Sequence, residues 1–258
     1  MKVLINYGNN IFKKSQEINS QSALKIGGFD EVISYHPKDI DSDFYKKNKE
    51  ILEQERGNGY WLWKSYFINK AMQNLSNGDY LFYCDSGSYF INSIDPIIKL
   101  CKQYNQDIIP FNVGAIEKYW TKRDVFISMN CDMPEFTDTE QRLGGFILFK
   151  KSDKSIKFID EYLSLTQDYS LITDVENSLG SPNYNGFIAH RHDQSIFSLL
   201  TKKYKLEAFR DLSQFGNDRS AQYPNLDYNQ IIQLTRKRKK PFRKKKIYKI
   251  LTLQKFRK

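Results

Sequence analysis

The segment Asp79 to Asp85, DYLFYCD, is an apolar run closed by an acid and followed by Ser86-Gly87. Apolar character without a break over so short a length predicts a central strand covered on both faces. Asp85 then stands at the rim of a sheet, where the chain turns. A carboxylate there can hold a divalent cation, and such a cation stabilises negative charge developing on a leaving diphosphate. The plainer reading is a carboxylate that caps the turn, and the triplet alone does not separate the two.

Two further clusters carry useful groups. Arg56 precedes Gly57-Asn58-Gly59-Tyr60-Trp61-Leu62-Trp63-Lys64. Glycines permit close backbone approach, aromatic rings can stack on a base or a pyranose, and Arg56 or Lys64 can neutralise phosphate. The same segment also reads as the start of a core helix, with Trp61 and Trp63 as packing. Downstream, His190-Arg191-His192-Asp193-Gln194 holds two of the 3 histidines of the chain, at a predicted helix start. It offers metal ligands, a phosphate partner and hydroxyl acceptors, or simply an N-cap.

Strands and helices must alternate to position these groups. Lys2–Tyr7, Glu31–Tyr35, Asp79–Asp85, Ile108–Val113, Gly144–Lys150 and Leu206–Phe209 read as strands, with Pro110 demoting the fourth toward an edge or bulge. Helices are predicted over 44–56, from about Phe67 to Leu75, from Asp95-Pro96 with the acid as N-cap, from a Thr121/Asp124 capping box, from Ser152 and from Asp193. Residues 166–189 form a long irregular stretch. This alternation predicts a doubly wound α/β sheet with ligands beyond the carboxyl ends of its strands.

The net charge of +10 is misleading until it is located. Residues 236–258 contain 13 of the 40 basic residues and no acid, so residues 1–235 carry 27 basic against 30 acidic side chains, a net of −3. The expected organisation is a domain over 1–235 and a polybasic tail over 236–258 whose Ile247, Ile250 and Leu251 share a helical face. Such a tail reads as an attachment to anionic membrane, ahead of nucleic acid. Cys84, Cys101 and Cys131 have no paired short spacing and fit a reducing, cytoplasmic setting. The opening MKVLINYGNN is too short in apolar length for a signal peptide.

The order of the pieces resembles a family. A strand ending in an Asp-x-Asp-like element, a Gly144-Gly145 strand and helix, then Asp193-Gln194 at a helix start is similar to the nucleotide-diphospho-sugar transferases of the GT-A fold. Among them it looks most like the small bacterial glycosyltransferases of lipopolysaccharide or capsule assembly, over roughly Met1 to Phe209. The resemblance implies a mixed, mostly parallel sheet flanked by helices. It also implies transfer of a sugar, expected to be a hexose, from a UDP- or GDP-sugar to a saccharide acceptor carried on a lipid at the inner face of the membrane, with retention. Asp85 would serve metal (Mn²⁺ or Mg²⁺) and diphosphate, Gly145 backbone approach to the donor sugar, and Asp193 and Gln194 the sugar or the reacting carbon.

Tyr7, Arg56, Tyr60, Lys64, Ser86, Gly87 and Gly144 complete the expected donor site. His190 and His192 are expected to join Asp85 at the cation, and Asp132 joins Asp193 and Gln194 as a catalytic candidate, with Glu135 a further possible base. Gly87 departs from the family pattern, which usually has a second acid there. Arg56, Lys64, Lys122 or Arg123 can take over part of the cation's electrostatic role. The competing class is a non-catalytic α/β protein that binds nucleic acid or membrane through its tail.

Overall fold

The computed structural model describes residues 1–213 and 228–235. The expected amphipathic tail, 236–258, lies outside the described residues. The central sheet is built from β1 (Lys2–Tyr7), β2 (Glu31–Tyr35), β3 (Tyr80–Cys84), β5 (Ile108–Ile109) and β8 (Phe146–Lys150) in the order β2-β1-β3-β8-β5. β1 runs parallel to β2 and β3, whereas β8 runs antiparallel to both β3 and β5. Four strands therefore share one direction and β8 alone is reversed.

The unbroken apolar strands have the expected cause. Side chains alternate across a strand, and both faces of this sheet are covered. Val3, Ile5, Leu81, Tyr83, Ile147 and Phe149 enter one core, under the helices Leu62–Gln73 and Asp153–Thr166 and that beginning at Asp193. Leu4, Phe82, Cys84, Phe146 and Leu148 enter the other, with Ile97, Leu100 and Cys101 of the helix Asp95–Gln103. Each fully buried large apolar side chain contributes about 1.5–3 kcal/mol. Numbered along the chain, the principal helices are α1 (Lys13–Ser22), α2 (Ser42–Lys47), α3 (Leu62–Gln73), α4 (Asp95–Gln103), α5 (Arg123–Ser128), α6 (Asp153–Thr166) and α7 (Asp193–Lys203).

Topology brings separate sequence segments to one rim. β1 and β3 are parallel, so Tyr7 and Cys84 end at the same edge, and reversed β8 begins there with Cys84 opposite Phe146. Tyr7, Asp85 and Gly144-Gly145 thus converge. Two small sheets flank this rim: β4 (Ser88–Phe90) with β9 (Ile232–Leu234), and β6 (Asn112–Ile116) with β7 (Glu140–Arg142).

Several local expectations are corrected. The helix expected over 44–56 breaks at Asn48, whose Nδ2 donates to the Phe44 carbonyl at 2.9 Å and leaves only α2 and the turn Lys49–Leu52. Asp95 is inside α4 and not its cap: Ser93 Oγ accepts from Asp95 N, and the carboxylate pairs with Lys2 at 3.0 Å. Thr121 and Asp124 form no capping box, because Thr121 donates to Glu117 and Asp124 accepts from the Ser178 and Leu179 amides. The expected strand 108–113 splits after Ile109, at Pro110, and its second half leaves to pair with β7. Residues 206–209 make only the isolated Phe111–Phe209 bridge; the last described strand is β9. Among the described residues the three cysteines are free and buried, and no helix is long and apolar enough to cross a membrane.

Candidate active site

Asp85 follows β3, exposed at the rim. Tyr83 lies two residues earlier, on the same strand face, and its hydroxyl donates to Asp85 Oδ1 at 2.6 Å. The Asp85 amide donates to Gly145 O at 2.9 Å, continuing the β3–β8 ladder by one residue. A Cβ added to Gly145 would sit 3.2 Å from Asp85 Oδ2, so only a bare backbone leaves this carboxylate its position. Ser88 Oγ donates to Asp85 O at 2.7 Å, and Ser86 Oγ donates to Tyr7 O, tying the turn to the end of β1.

Asp193 opens α7 directly behind this edge. Lys64 of α3 places its ammonium 2.5 Å from Asp193 Oδ2 and 2.9 Å from Gly144 O, and donates to both. Both side chains are buried, and Tyr162 Oη lies 3.4 Å from the same carboxylate oxygen. Burial raises the Asp193 carboxyl above its ordinary range, the Lys64 ammonium opposes the rise, and Asp85 adds to it. Gln194 Oε1 accepts from Gly144 N at 2.9 Å while its Nε2 donates to Gln141 Oε1 at 2.7 Å. Gly144 is needed for this contact: a Cβ there would meet Gln194 Cβ at 3.0 Å.

The Gly57–Trp61 segment is unusual backbone. Gly57, Asn58, Gly59, Tyr60 and Trp61 have φ of 61, 55, 94, 48 and 62°, five consecutive residues in the left-handed region. This costs about 1–2 kcal/mol for each non-glycine residue, and such strain persists only where surroundings impose it. Here the turn directs Asn58 Nδ2 to the Tyr7 hydroxyl and sets Tyr60 and Trp61 against the His192 ring. Trp63 beyond it is packing: its ring stacks on Tyr7 at 3.8 Å and its Nε1 donates to Gly57 O.

The histidines are engaged elsewhere. His190 Nε2 donates to Leu171 O at 2.8 Å and Nδ1 accepts from the Lys122 amide; His192 Nδ1 donates to Ile172 O at 2.9 Å and Nε2 accepts from Arg56 Nε at 3.0 Å. All four ring nitrogens are thus committed to protein groups, and burial pushes both imidazoles toward the neutral form, His192 to about 4. The structure does not bring His190 and His192 to Asp85 as a ligand set. Among the described residues no three of His, Cys, Asp and Glu gather as cation ligands. Asp85 by itself fits a divalent cation shared with a phosphate-bearing ligand, since magnesium and manganese sites commonly use one or two carboxylates with substrate oxygens.

Other expected residues stand apart or change role. Asp132 is held by Arg123 at 2.8 Å and by the Tyr184 hydroxyl at 2.7 Å, with no contact to the Asp85 and Asp193 groups. Lys64 serves Asp193, and Lys122 Nζ donates to the carbonyls of Ser170 and Val175, so neither ammonium faces outward. Arg56 pairs with Asp174 at 3.2 Å, half-exposed. Tyr83, Asn58, Tyr162 and Gln141 were not singled out from sequence. Only Tyr83 had a readable signal, its two-residue spacing from Asp85 on a strand.

No protein-family model matches the chain, and no curated protein matches it. Among solved structures, apo mouse xyloside xylosyltransferase 1 is similar over 91% of this chain and 97% of that chain, with a TM-score of 0.51 at 10% identity. The fold is that of the GT-A glycosyltransferases. Apo glycosyltransferase GlyE of Streptococcus pneumoniae TIGR4 is also similar, over 94% of this chain and 56% of that chain, with a TM-score of 0.46 at 16% identity. In the GT-A arrangement seen here, the carboxyl rim of β1 and β3 and the amino end of β8 bring Asp85, Gly145 and the start of α7 together.

Proposed function

We propose that the protein is a glycosyltransferase that moves a sugar from a nucleoside-diphosphate sugar to a saccharide acceptor. One observation carries this reading: an exposed carboxylate, oriented by Tyr83 and set against the bare backbone of Gly145, next to a helix start whose Asp193 and Gln194 are locked onto Gly144. The GT-A fold supports it as the scaffold of such sites.

In this reading Asp85 faces the donor diphosphate, and a bound Mn²⁺ or Mg²⁺ supplies neutralisation of the leaving charge. Gly145 lets the donor sugar approach the backbone. The Lys64 ammonium keeps the buried Asp193 carboxylate fixed behind the rim, and Gln141 fixes the Gln194 amide, so the backbone of Gly144 and the start of α7 are held in place for the sugar without reorganising. The acceptor hydroxyl attacks the anomeric carbon as its bond to the diphosphate oxygen breaks. The diphosphate departs with that electron pair, and in a retaining course one of its oxygens receives the acceptor's proton. Retention is favoured because two of the candidate bases are committed elsewhere, Asp132 to Arg123 and Tyr184 and Asp193 to Lys64.

The finer reading is a hexosyltransferase using UDP- or GDP-sugar, acting on a lipid-linked acceptor in surface-polysaccharide assembly at the cytoplasmic face of a membrane, with residues 236–258 as attachment. The clustered cations of that segment support this. The test is ligand-dependent thermal stability followed by turnover. UDP or GDP should raise the melting midpoint, more with Mn²⁺, and one sugar nucleotide should be hydrolysed slowly to release its diphosphate. No stabilisation by any nucleoside diphosphate would turn the reading toward a non-catalytic binding protein.

A further inference from the structure

Around α1 the usual pattern of burial is reversed. Its buried residues are polar: Gln16 Nε2 donates to Asn6 Oδ1 and Tyr35 O, both at 3.0 Å, and Asn19 Nδ2 donates to Ser88 O at 3.0 Å. The apolar residues point outward. Ile11 and Phe12, just before the helix, are 85% and 46% exposed, Ile18 within it is 43% exposed, and Leu24 and Ile26 beyond it are 51% and 48% exposed. None of these five belongs to either core. Five of the 11 exposed large apolar side chains among the described residues thus fall within residues 11–26, a concentration that marks a face for a partner.

We propose that the partner is an anionic lipid surface. Lys13, Lys14 and Lys25 sit among these apolar side chains, and Glu17 is the sole acid over 11–26. Among the described residues none of the three lysines is ion-paired. Exposed apolar side chains interspersed with unpaired lysines match the headgroup and acyl boundary, where the stems enter and the ammonium groups meet phosphate. A protein partner fits less well, because lysine is depleted from protein interfaces. A nucleic acid gains little from Ile11, Ile18 and Leu24, because its affinity comes from phosphate contacts. The setting agrees. α1 packs on β4, β4 pairs with β9, and from β9 the chain continues into residues 236–258, which hold 13 cations and no acid. The surface would bring the protein to the membrane whether or not the glycosyl-transfer reading holds.

The test is co-sedimentation of the full chain with vesicles of phosphatidylcholine alone and of phosphatidylcholine mixed with phosphatidylglycerol, alongside analytical ultracentrifugation. Wild type should bind the mixed vesicles and not the neutral ones. The Ile11→Ser/Ile18→Ser variant should bind about tenfold more weakly with an unchanged melting midpoint, since both side chains are exposed. Wild type that ignores mixed vesicles overturns the proposal. So does a variant that binds them as wild type does, which would assign attachment elsewhere in the chain. A wild-type dimer that the variant converts to monomer overturns it in favour of a second copy on this face.

Discussion

Lys64 Nζ and Asp193 Oδ2 lie 2.5 Å apart, joining α3 to the start of α7 at a point where their side chains are 4% and 5% exposed. Neither charge reaches water, so each depends on the other and on Gly144 O and Tyr162 Oη. Removing one partner of such a pair typically costs about 3–5 kcal/mol, because the other is left buried and uncompensated. Lys64→Met should therefore lower the unfolding free energy by that amount in urea denaturation. Lys64→Met/Asp193→Leu should recover most of the stability without restoring donor turnover. A single-variant loss of under about 1 kcal/mol would show that the pair is not isolated from solvent.

Asp85 differs in being exposed, so its replacement separates stability from activity. Asp85→Asn should leave the melting midpoint within about 1 °C while lowering sugar-nucleotide turnover about 100-fold. Tyr83→Phe releases Oδ1 and should cost about tenfold in kcat/KM through misorientation. Steady-state kinetics with the best donor found by screening checks both. Equal, small losses would demote Asp85 to a turn residue.

Two glycines should respond to alanine in opposite ways. At Gly59, φ is +94° and a Cβ would meet the Leu52 Cα at 2.8 Å, a backbone atom that cannot swing aside. Gly59→Ala should destabilise by about 2 kcal/mol or more. At Gly145 the obstacle is the Asp85 carboxylate at 3.2 Å, an exposed side chain that can move. Gly145→Ala should keep the fold and weaken donor binding, read out as loss of the thermal shift given by the nucleoside diphosphate.

Acid should loosen the 190s loop. His192 is held at about 4, below its ordinary 6.5, by burial first, with Arg56 and Arg191 pushing the same way and the Ile172 carbonyl and Asp174 opposing. His190 is displaced in the same direction, again by burial first. The native state therefore binds fewer protons than the unfolded chain between these limits. The contribution is complete above pH 6.5 and is lost as pH falls toward 4. His192 accounts for about 3 kcal/mol of it. Asp193, whose carboxyl is raised by burial, acts in the opposite sense and softens the slope. Protonated Nε2 cannot accept from Arg56, so that link opens too. Urea midpoints across this range should show the slope, and His192→Gln should flatten it.

The central strands were readable because β1, β3 and β8 are covered on both faces and carry apolar residues without alternation. The rim position of Asp85 followed from the run ending there. The ordering of Gly144-Gly145 and Asp193-Gln194 pointed to their meeting, but the Lys64 contact spans 129 residues and has no local trace. The histidine pair invited a metal reading on composition, whereas tertiary carbonyls and Arg56 take its nitrogens. The left-handed run at Gly57–Trp61 was visible only as two glycines, since tertiary contacts hold Asn58, Tyr60 and Trp61 there. β9 was missed because three residues paired to β4 carry no periodicity of their own.

β9 also has a mechanical consequence. Thr235, one residue past it, donates from both its amide and its Oγ1 to Gly87 O, at 2.9 and 2.8 Å. Gly87 is two residues from Asp85, so tension applied to the end of the chain arrives at the turn carrying that carboxylate before it loads the central sheet. An attachment made through residues 236–258 would act as a tether fastened beside Asp85, and a load on it would be felt there first.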